Sequence, residues 1–378
     1  MDGVGPLERE GCPMKRNLRY IAALSLFLFG ILPAIPEASG FGPPGPWGQR
    51  ALRGIFEPEM IAVAGEELYV VEGAQISVFS LKDLAFIRTF GRKGEGPGEF
   101  KEADFWYNTV TVLPDVIFVD GYDKVAYFSK DGRFLREAKK SVGISQVVPF
   151  GKGFVASKLD HLEGDVQYQC LYLLDANLKH QKELARQESW IQAMGRKTEM
   201  IPDVLNFSVW GDRLFVEKSR EGFVIDVIDV QGTRLSRIES EQEKIPVTRD
   251  RANQALEEFK TDPYVKRMGF EKFKSFSEFV WPKVLPPIRD FTVADGKIFV
   301  RTSKTFGGKE SWVILDLKGR PVGRTDLPRV DAAPLMAHVY GVHYYAVAGG
   351  KLYFLKENAK TDEWELFVEE IKEQRRNP

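Results

Sequence analysis

The chain has 378 residues, of which 43% are apolar and 12% aromatic, enough for a large hydrophobic core. Lys and Arg number 53 and Asp and Glu number 54, which gives a formal net charge of −1. This balance excludes an overall field that attracts nucleic acid or an anionic membrane, and we expect no nucleic-acid partner.

The first 40 residues have the pattern of a secretory signal peptide. Basic residues ending at Arg19 come before an apolar stretch at 20–35, and small residues ending at Gly40 follow it. The stretch is short and interrupted by prolines, which argues against a membrane span. We therefore expect no stable membrane span after the signal is cleaved. Met14 directly precedes the basic residues, so translation is expected to start there. The segment 1–40 therefore predicts a periplasmic or secreted protein, with an uncleaved N-terminal anchor as the alternative.

Residues 41–373 contain six segments that align without gaps. Each has a valine, then turn-forming residues, then an aromatic residue six positions after the valine. The valines are Val63, Val112, Val148, Val209, Val293 and Val347. The aromatic residues are Tyr69, Phe118, Phe154, Phe215, Phe299 and Tyr353. This repeat of two β-rich runs around a turn predicts a propeller, because a self-repeating all-β unit of this size closes on itself.

The second half of each segment predicts two more strands. Alternating apolar residues there are interrupted by hairpin turns such as Asp131-Gly132. The last segment has only one run after its aromatic residue, at 364–371, while a spare strand at 51–56 precedes the first segment. Pairing these two would close the ring and remove an exposed edge. The predicted fold is an all-β, six-bladed β-propeller with four-stranded antiparallel blades, closed by an N-terminal strand and followed by a tail at 374–378.

Residues 239–287 predict a helical insertion between blades four and five. Ala252, Ala255 and Phe259 fall at helical spacing, and Thr248 is a suitable N-terminal cap. Two interpretations remain open. The aromatic residues of the insertion pack against blades four and five, as apolar helical stripes usually do, or the insertion is a lid beside the central channel.

The long connections of the predicted propeller all fall on one face. They link one blade to the next or join the two middle strands of a blade, and both kinds lie on the same side. They span residues 91–104, 158–167, 186–203, 239–287, 302–311 and 356–363. Binding sites usually lie on such loops of a rigid scaffold, so we expect the ligand on this face.

The alignment also identifies the residues that begin the inner strands and surround the channel mouth. The candidate ligand-binding residues among them are Glu59, Asn108, Asn206, Arg289, Asp290 and His343. Convergent polar groups can hold a ligand or can solvate a water-filled channel, and the sequence leaves both open. The candidate metal ligands are Glu59, Asn108, Asn206 and Asp290, since a divalent cation such as Ca2+ prefers several oxygen ligands.

Two segments resemble a known family. One is RTFGRKGEGPGEF at 88–100, which joins two blades, and the other is VLPPIRDFTVADGKIFV at 284–300. They resemble the exported bacterial six-bladed β-propeller proteins of the NHL-like group. The resemblance extends over about residues 45–373 and implies the six-bladed fold. Six-bladed lactonase-like hydrolases use a comparable central calcium, an analogy of fold that suggests an alternative function.

Motifs of catalysis are missing from the sequence. The four histidines include no His-x-x-x-His pair, and no Gly-x-Ser-x-Gly occurs, so we assign no catalytic residue. We predict a binding or interaction module rather than an enzyme. It would work as a monomer, without a cofactor, and present its loop-rich face to a protein, peptide or carbohydrate. The alternative is a calcium-dependent hydrolase or lyase with its site at the channel mouth.

Overall fold

The computed structural model describes residues 50–102, 107–141, 143–163, 166–190, 192, 197–330 and 343–372. The predicted signal peptide at 1–40 and the tail at 374–378 lie outside these residues. The described residues form six four-stranded sheets, whose strands pair antiparallel, and one two-stranded parallel sheet. The predicted all-β, six-bladed propeller is confirmed.

The strands follow the chain blade by blade, after an initial strand β1 (Arg50–Ala51). Blade one contains β2 (Met60–Ala64), β3 (Glu67–Glu72), β4 (Gln75–Ser80) and β5 (Phe86–Phe90). Blade two contains β6 (Thr109–Val112), β7 (Val116–Asp120), β8 (Lys124–Ser129) and β9 (Phe134–Lys139). Blade three contains β10 (Ile144–Phe150), β11 (Gly153–Glu163), β12 (Val166–Leu174) and β13 (His180–Glu188), and is followed by β14 (Thr198–Glu199).

The second half of the chain contains the helices. Blade four contains β15 (Phe207–Trp210), β16 (Arg213–Glu217), β17 (Phe223–Asp229) and β18 (Arg234–Ser240). The insertion contains α1 (Arg249–Thr261), α2 (Pro263–Met268), α3 (Phe270–Phe276) and β19 (Phe279–Val280). Blade five contains β20 (Ile288–Ala294), β21 (Lys297–Phe306), β22 (Lys309–Asp316) and β23 (Pro321–Pro328). Blade six contains β24 (Tyr345–Ala348), β25 (Lys351–Asn358) and β26 (Glu363–Glu370), completed by β1.

The repeated aromatic residues form the contacts between neighbouring blades. All six lie in the second strand of their blade and are buried. Phe118 of blade two and Phe154 of blade three, for example, have ring centroids 5.8 Å apart. The aromatic repeat is therefore explained by packing, since these large side chains lie at five of the six interfaces between blades, and other apolar residues fill the interface between blades three and four.

The N-terminal strand closes the ring, as predicted, but it is shorter than the predicted strand 51–56. Arg50 pairs with Leu366 and Ala51 with Glu365, and the Leu52 amide donates to the Trp364 carbonyl oxygen at 2.7 Å. The strand then ends, because the chain turns at Gly54, whose φ of 79° favours glycine. Leu52 and Ile55 still enter the core, with exposed fractions of 2% and 4%.

Two of the predicted long loops are instead extended hairpins, and half of a third, 356–363, is strand, since β25 reaches Asn358 and β26 begins at Glu363. Segment 158–167 lies largely in β11 and β12, and segment 302–311 lies in β21 and β22. The second hairpin turns at Gly307 and Gly308, whose φ values of 56° and 76° suit a two-residue hairpin turn. Pairing that continues beyond the blade satisfies backbone groups that a loop would leave to water.

The predicted helical insertion is confirmed. Thr248 caps α1, where its hydroxyl oxygen accepts from the Arg251 amide at 3.2 Å. One interpretation expected the aromatic residues of the insertion to pack against blades four and five. They do not join the cores of those blades. They form a separate cluster with residues of the connection between blades three and four, Trp190, Met200 and Val204. The parallel pairing of β14 with β19 attaches the insertion to the same connection.

Candidate functional site

A cavity of 390 Å³ lies on the face that carries the long connections. One wall is a face of α1, with side chains at 251, 254, 255, 258 and 259. The opposite wall combines the start of β20 with β21, at Arg289, Asp290 and Arg301. We call this space the α1 cavity. The insertion therefore borders residues predicted for the channel mouth, as the lid interpretation required.

The floor of the α1 cavity is a network of buried charges. The Glu310 carboxylate, with a fully buried side chain, accepts from Arg289 Nη1 at 2.5 Å and from Arg301 Nε at 2.9 Å. Asp290 accepts from Arg301 Nη1 at 3.0 Å and from the Tyr345 hydroxyl at 2.5 Å. Buried charges require such partners, so the two carboxylates and two guanidinium groups hold one another in place.

Burial and neighbouring charges shift the pKa values of these groups. Burial lowers the pKa of the Arg289 guanidinium, and the positive charge of Arg301 lowers it further. Burial also acts to lower the pKa of Arg301, but the Asp290 and Glu310 carboxylates outweigh it and raise that pKa. Burial lowers the pKa of His343, which keeps its imidazole neutral at neutral pH. Arg289 is thus the cation of the floor whose charge is least compensated.

A second group of charges lies at the rim of the α1 cavity. Glu258 of α1 accepts from Arg251 at 3.1 Å and from Arg329, which follows blade five, also at 3.1 Å. These side chains are partly exposed. Two arginines share one carboxylate here.

The predicted residues of blades one and two form a separate pair around Gly73. Asn108 Nδ2 donates to the Gly73 carbonyl oxygen at 2.6 Å, and the Glu59 carboxylate accepts from the Gly73 amide. Glu59 Oε2 and Asn108 Oδ1 are buried and have no hydrogen-bond partner within the described part of the chain. Burial, together with the charge of Glu102, raises the pKa of Glu59 from 4.5 to about 7.

The remaining predicted residue, Asn206, lies in blade four. Its Nδ2 donates to Glu217 at 2.9 Å, and burial, reinforced by the charge of Asp203, raises the pKa of Glu217 well above 4.5. The predicted site residues therefore fall into separate groups: Arg289 and Asp290 lie at the α1 cavity, Glu59 and Asn108 around Gly73, and Asn206 beside Glu217, while the His343 ring lies 5.3 Å from the Tyr345 ring. No group of three or more His, Cys, Asp or Glu among the described residues is placed to hold a metal ion. The calcium alternative stays a prediction.

Sequence reasoning missed Glu217, Arg301 and Glu310, although they fix the predicted residues in place. Glu217 and Arg301 each stand two positions after the repeated aromatic residue of their blade, and Asp120 stands at the same register in blade two. A charged residue inside an otherwise apolar strand was the available signal, because such a residue must find a buried partner. The signal does not say which partner.

The raised pKa of Glu59 predicts a pH-dependent stability. Between about pH 4.5 and pH 7 the unfolded chain loses this proton while the folded chain keeps it, so the contribution of Glu59 to the stability of the parent falls as the pH rises. Glu59→Gln removes the titration. We expect its melting temperature, relative to the parent, to increase across this range and level off above it. The exposed Glu66→Gln is the control, and an equally flat difference for both variants would contradict the prediction.

Comparisons with known proteins identify no family. No protein-family model matches the chain, and no curated protein matches its sequence. Among solved structures, BamB from Moraxella catarrhalis is 9% identical, with 82% of this chain and 71% of that chain covered and a TM-score of 0.30. The Neurospora crassa Pan2 WD40 domain is 8% identical, with 85% and 95% covered and a TM-score of 0.40. These similarities are too weak to assign a family, and the fold is defined by the six sheets themselves. The NHL-like grouping stays a prediction.

Within the described residues, every helix is too short or too polar to cross a membrane.

Proposed function

We propose that this chain is an exported binding module that holds a segment of a partner protein in the α1 cavity. The observation that supports it most is the composition of the cavity. Its lining combines apolar residues of 200–204 and of α1 with fixed charged groups at the start of β20. A mostly preformed concave site with a few fixed polar groups is typical of ligand binding.

The charges of the α1 cavity favour a peptide segment over a carbohydrate. Four arginines line it, and Arg301 is held rigidly by Asp290 and Glu310. Guanidinium groups in fixed positions recognise charged planar groups, which protein segments supply and neutral sugars do not. Phe259 is the one aromatic residue of the described lining and is itself buried in the insertion.

Export is part of the proposal and is supported by the signal-like sequence at 1–40. The module would act in the periplasm or outside the cell, as a monomer. A catalytic function has less support, because the charged groups of the cavity floor are paired with one another.

Filling the α1 cavity tests the proposal. Gln254 is exposed on α1 and lines the cavity, while Asn253 is exposed on another face of the same helix. Short random peptides displayed on phage would be selected against the purified chain. We expect Gln254→Trp to weaken the binding of the selected peptides by at least about tenfold. Asn253→Trp, which adds the same side chain outside the cavity, should bind them like the parent.

Peptides that bind the parent and Gln254→Trp equally well would contradict the assignment of the site. The absence of any enriched peptide would contradict a peptide ligand. Circular dichroism of both variants establishes that the insertion remains folded.

A further inference from the structure

Two arginines of the cavity floor are held side by side by one carboxylate. Arg289 Nη1 contacts one oxygen of Glu310 at 2.5 Å, and Arg301 Nε contacts the other at 2.9 Å. Both residues line the α1 cavity, whereas Glu310 is fully buried behind them. The two guanidinium groups are therefore adjacent and preorganised, and no ligand has to order them.

Donor groups of this arginine pair are left unused. Arg289 donates only through Nη1 to any described residue, although its guanidinium has further N–H groups and its side chain is 27% exposed. Arg301 Nη2 contacts Glu310 Oε2 at 2.7 Å, but its three contacts leave two of the five N–H groups of this guanidinium without a described acceptor. Buried donors without acceptors are unfavourable, so an acceptor that enters the cavity would be stabilised.

The electrostatics favour an acceptor with one negative charge. The repulsion between Arg301 and Arg289 that lowers the pKa of Arg289 would be relieved by an anion. Four arginines line the cavity, however, and so do the carboxylates of Glu258, Asp262 and Asp290, with a fourth carboxylate, Glu310, buried behind them. A ligand group with two charges would leave the cavity strongly negative, while a singly charged group costs less.

We propose that the ligand presents a carboxylate to the donors of Arg289 and Arg301. The inference rests on the proposed function and names the group that the α1 cavity recognises. Arginine donors match the planar geometry of a carboxylate and can bind its two oxygens together. The carboxylate would come from the C-terminus of a protein segment or from an Asp or Glu side chain.

Small probes separate these sources. N-acetylglycine places a carboxylate beside a peptide group, as a C-terminus does, and propionate places it on an alkyl chain, as a side chain does. Each is compared with its uncharged amide, N-acetylglycinamide or propionamide, at equal ionic strength. We expect at least one acid, at a concentration well above its dissociation constant, to raise the melting temperature by about 1–3 °C more than its amide. The acid with the larger rise identifies the source.

Variants connect the effect to the arginine pair. Arg289→Gln is expected to abolish the rise, whereas Glu310 keeps its contact with Arg301. Arg320→Gln removes an exposed arginine from an outer turn of the same blade and should keep the rise. If Arg289→Gln does not fold, Arg289→Lys is tested instead. Lysine keeps the positive charge but lacks the planar set of guanidinium donors, so this variant should retain only part of the rise in melting temperature.

Three outcomes would overturn the inference: equal rises with acids and amides, an undiminished rise in Arg289→Gln, or a larger rise with inorganic phosphate than with either acid. The proposed function fails separately. Selected peptides that lose binding in Gln254→Trp but not in Arg289→Gln would contradict the carboxylate and leave the peptide site standing. A carboxylate-specific rise in melting temperature without any selected peptide would contradict the peptide site and leave the carboxylate site standing.

Discussion

Replacing Glu310 with alanine is expected to lower the free energy of unfolding by about 3–5 kcal/mol. The side chain of Glu310 is fully buried and forms ion pairs with Arg289 and Arg301. Its removal leaves Arg289 without its hydrogen-bonded carboxylate and leaves Arg301 with Asp290 alone. The loss comes mainly from leaving buried charges uncompensated, so it should exceed the free energy that the lost ion pairs contribute to folding. Denaturant unfolding of both proteins measures the difference.

Glu243→Ala is the matched control for this prediction. Glu243 also pairs with a cation of blade five, Lys304 at 3.0 Å, but both side chains are mostly exposed. Exposed pairs contribute only about 0–1 kcal/mol, because water screens them. A loss for Glu310→Ala no larger than the loss for Glu243→Ala would show that the charges of the cavity floor are not buried as described.

Removing residues 50–56 is expected to destabilise the propeller strongly and to cause association. Leu52 and Ile55 are buried, and losing a buried aliphatic side chain costs about 2–5 kcal/mol. The deletion also exposes the edge of β26, where unpaired backbone groups can pair with another molecule. Calorimetry should show a much lower melting temperature, and light scattering should show larger particles.

Two point variants separate packing from edge closure. Leu52→Ala should lower the melting temperature without association, because β1 can still pair with β26. Phe56→Ala should have almost no effect, since Phe56 is 79% exposed. A deletion variant that stays monomeric and melts like the parent would show that β1 does not close the ring.

The fold could be predicted because each blade repeats the same physical requirement. The aromatic residue of the second strand fills an interface between blades, so its spacing from the valine recurs six times. The limits of β1 and of the extended hairpins could not be predicted in the same way. A single glycine turn ends β1, and continued pairing extends β21 and β22, and neither leaves a periodic pattern in the sequence.

The candidate site was predicted only in part. The alignment located Arg289 and Asp290 at the start of an inner strand, and the structure places both on the α1 cavity. Glu310, which holds Arg289, lies 21 positions further along the chain on another strand. Such a partner is brought close by the register of the blade, which the local sequence does not reveal.

The pairing of β1 with β26 has a consequence for the order in which the protein forms. Arg50 meets Leu366, so almost the whole propeller must be translated before β1 has a partner. At about 5–20 residues per second, a ribosome needs roughly 15–60 s to cover that distance. During this interval Leu52 and Ile55 remain exposed on a nascent segment that cannot yet bury them. Closure of the ring is therefore one of the last steps of folding, since it waits for the synthesis of nearly every blade.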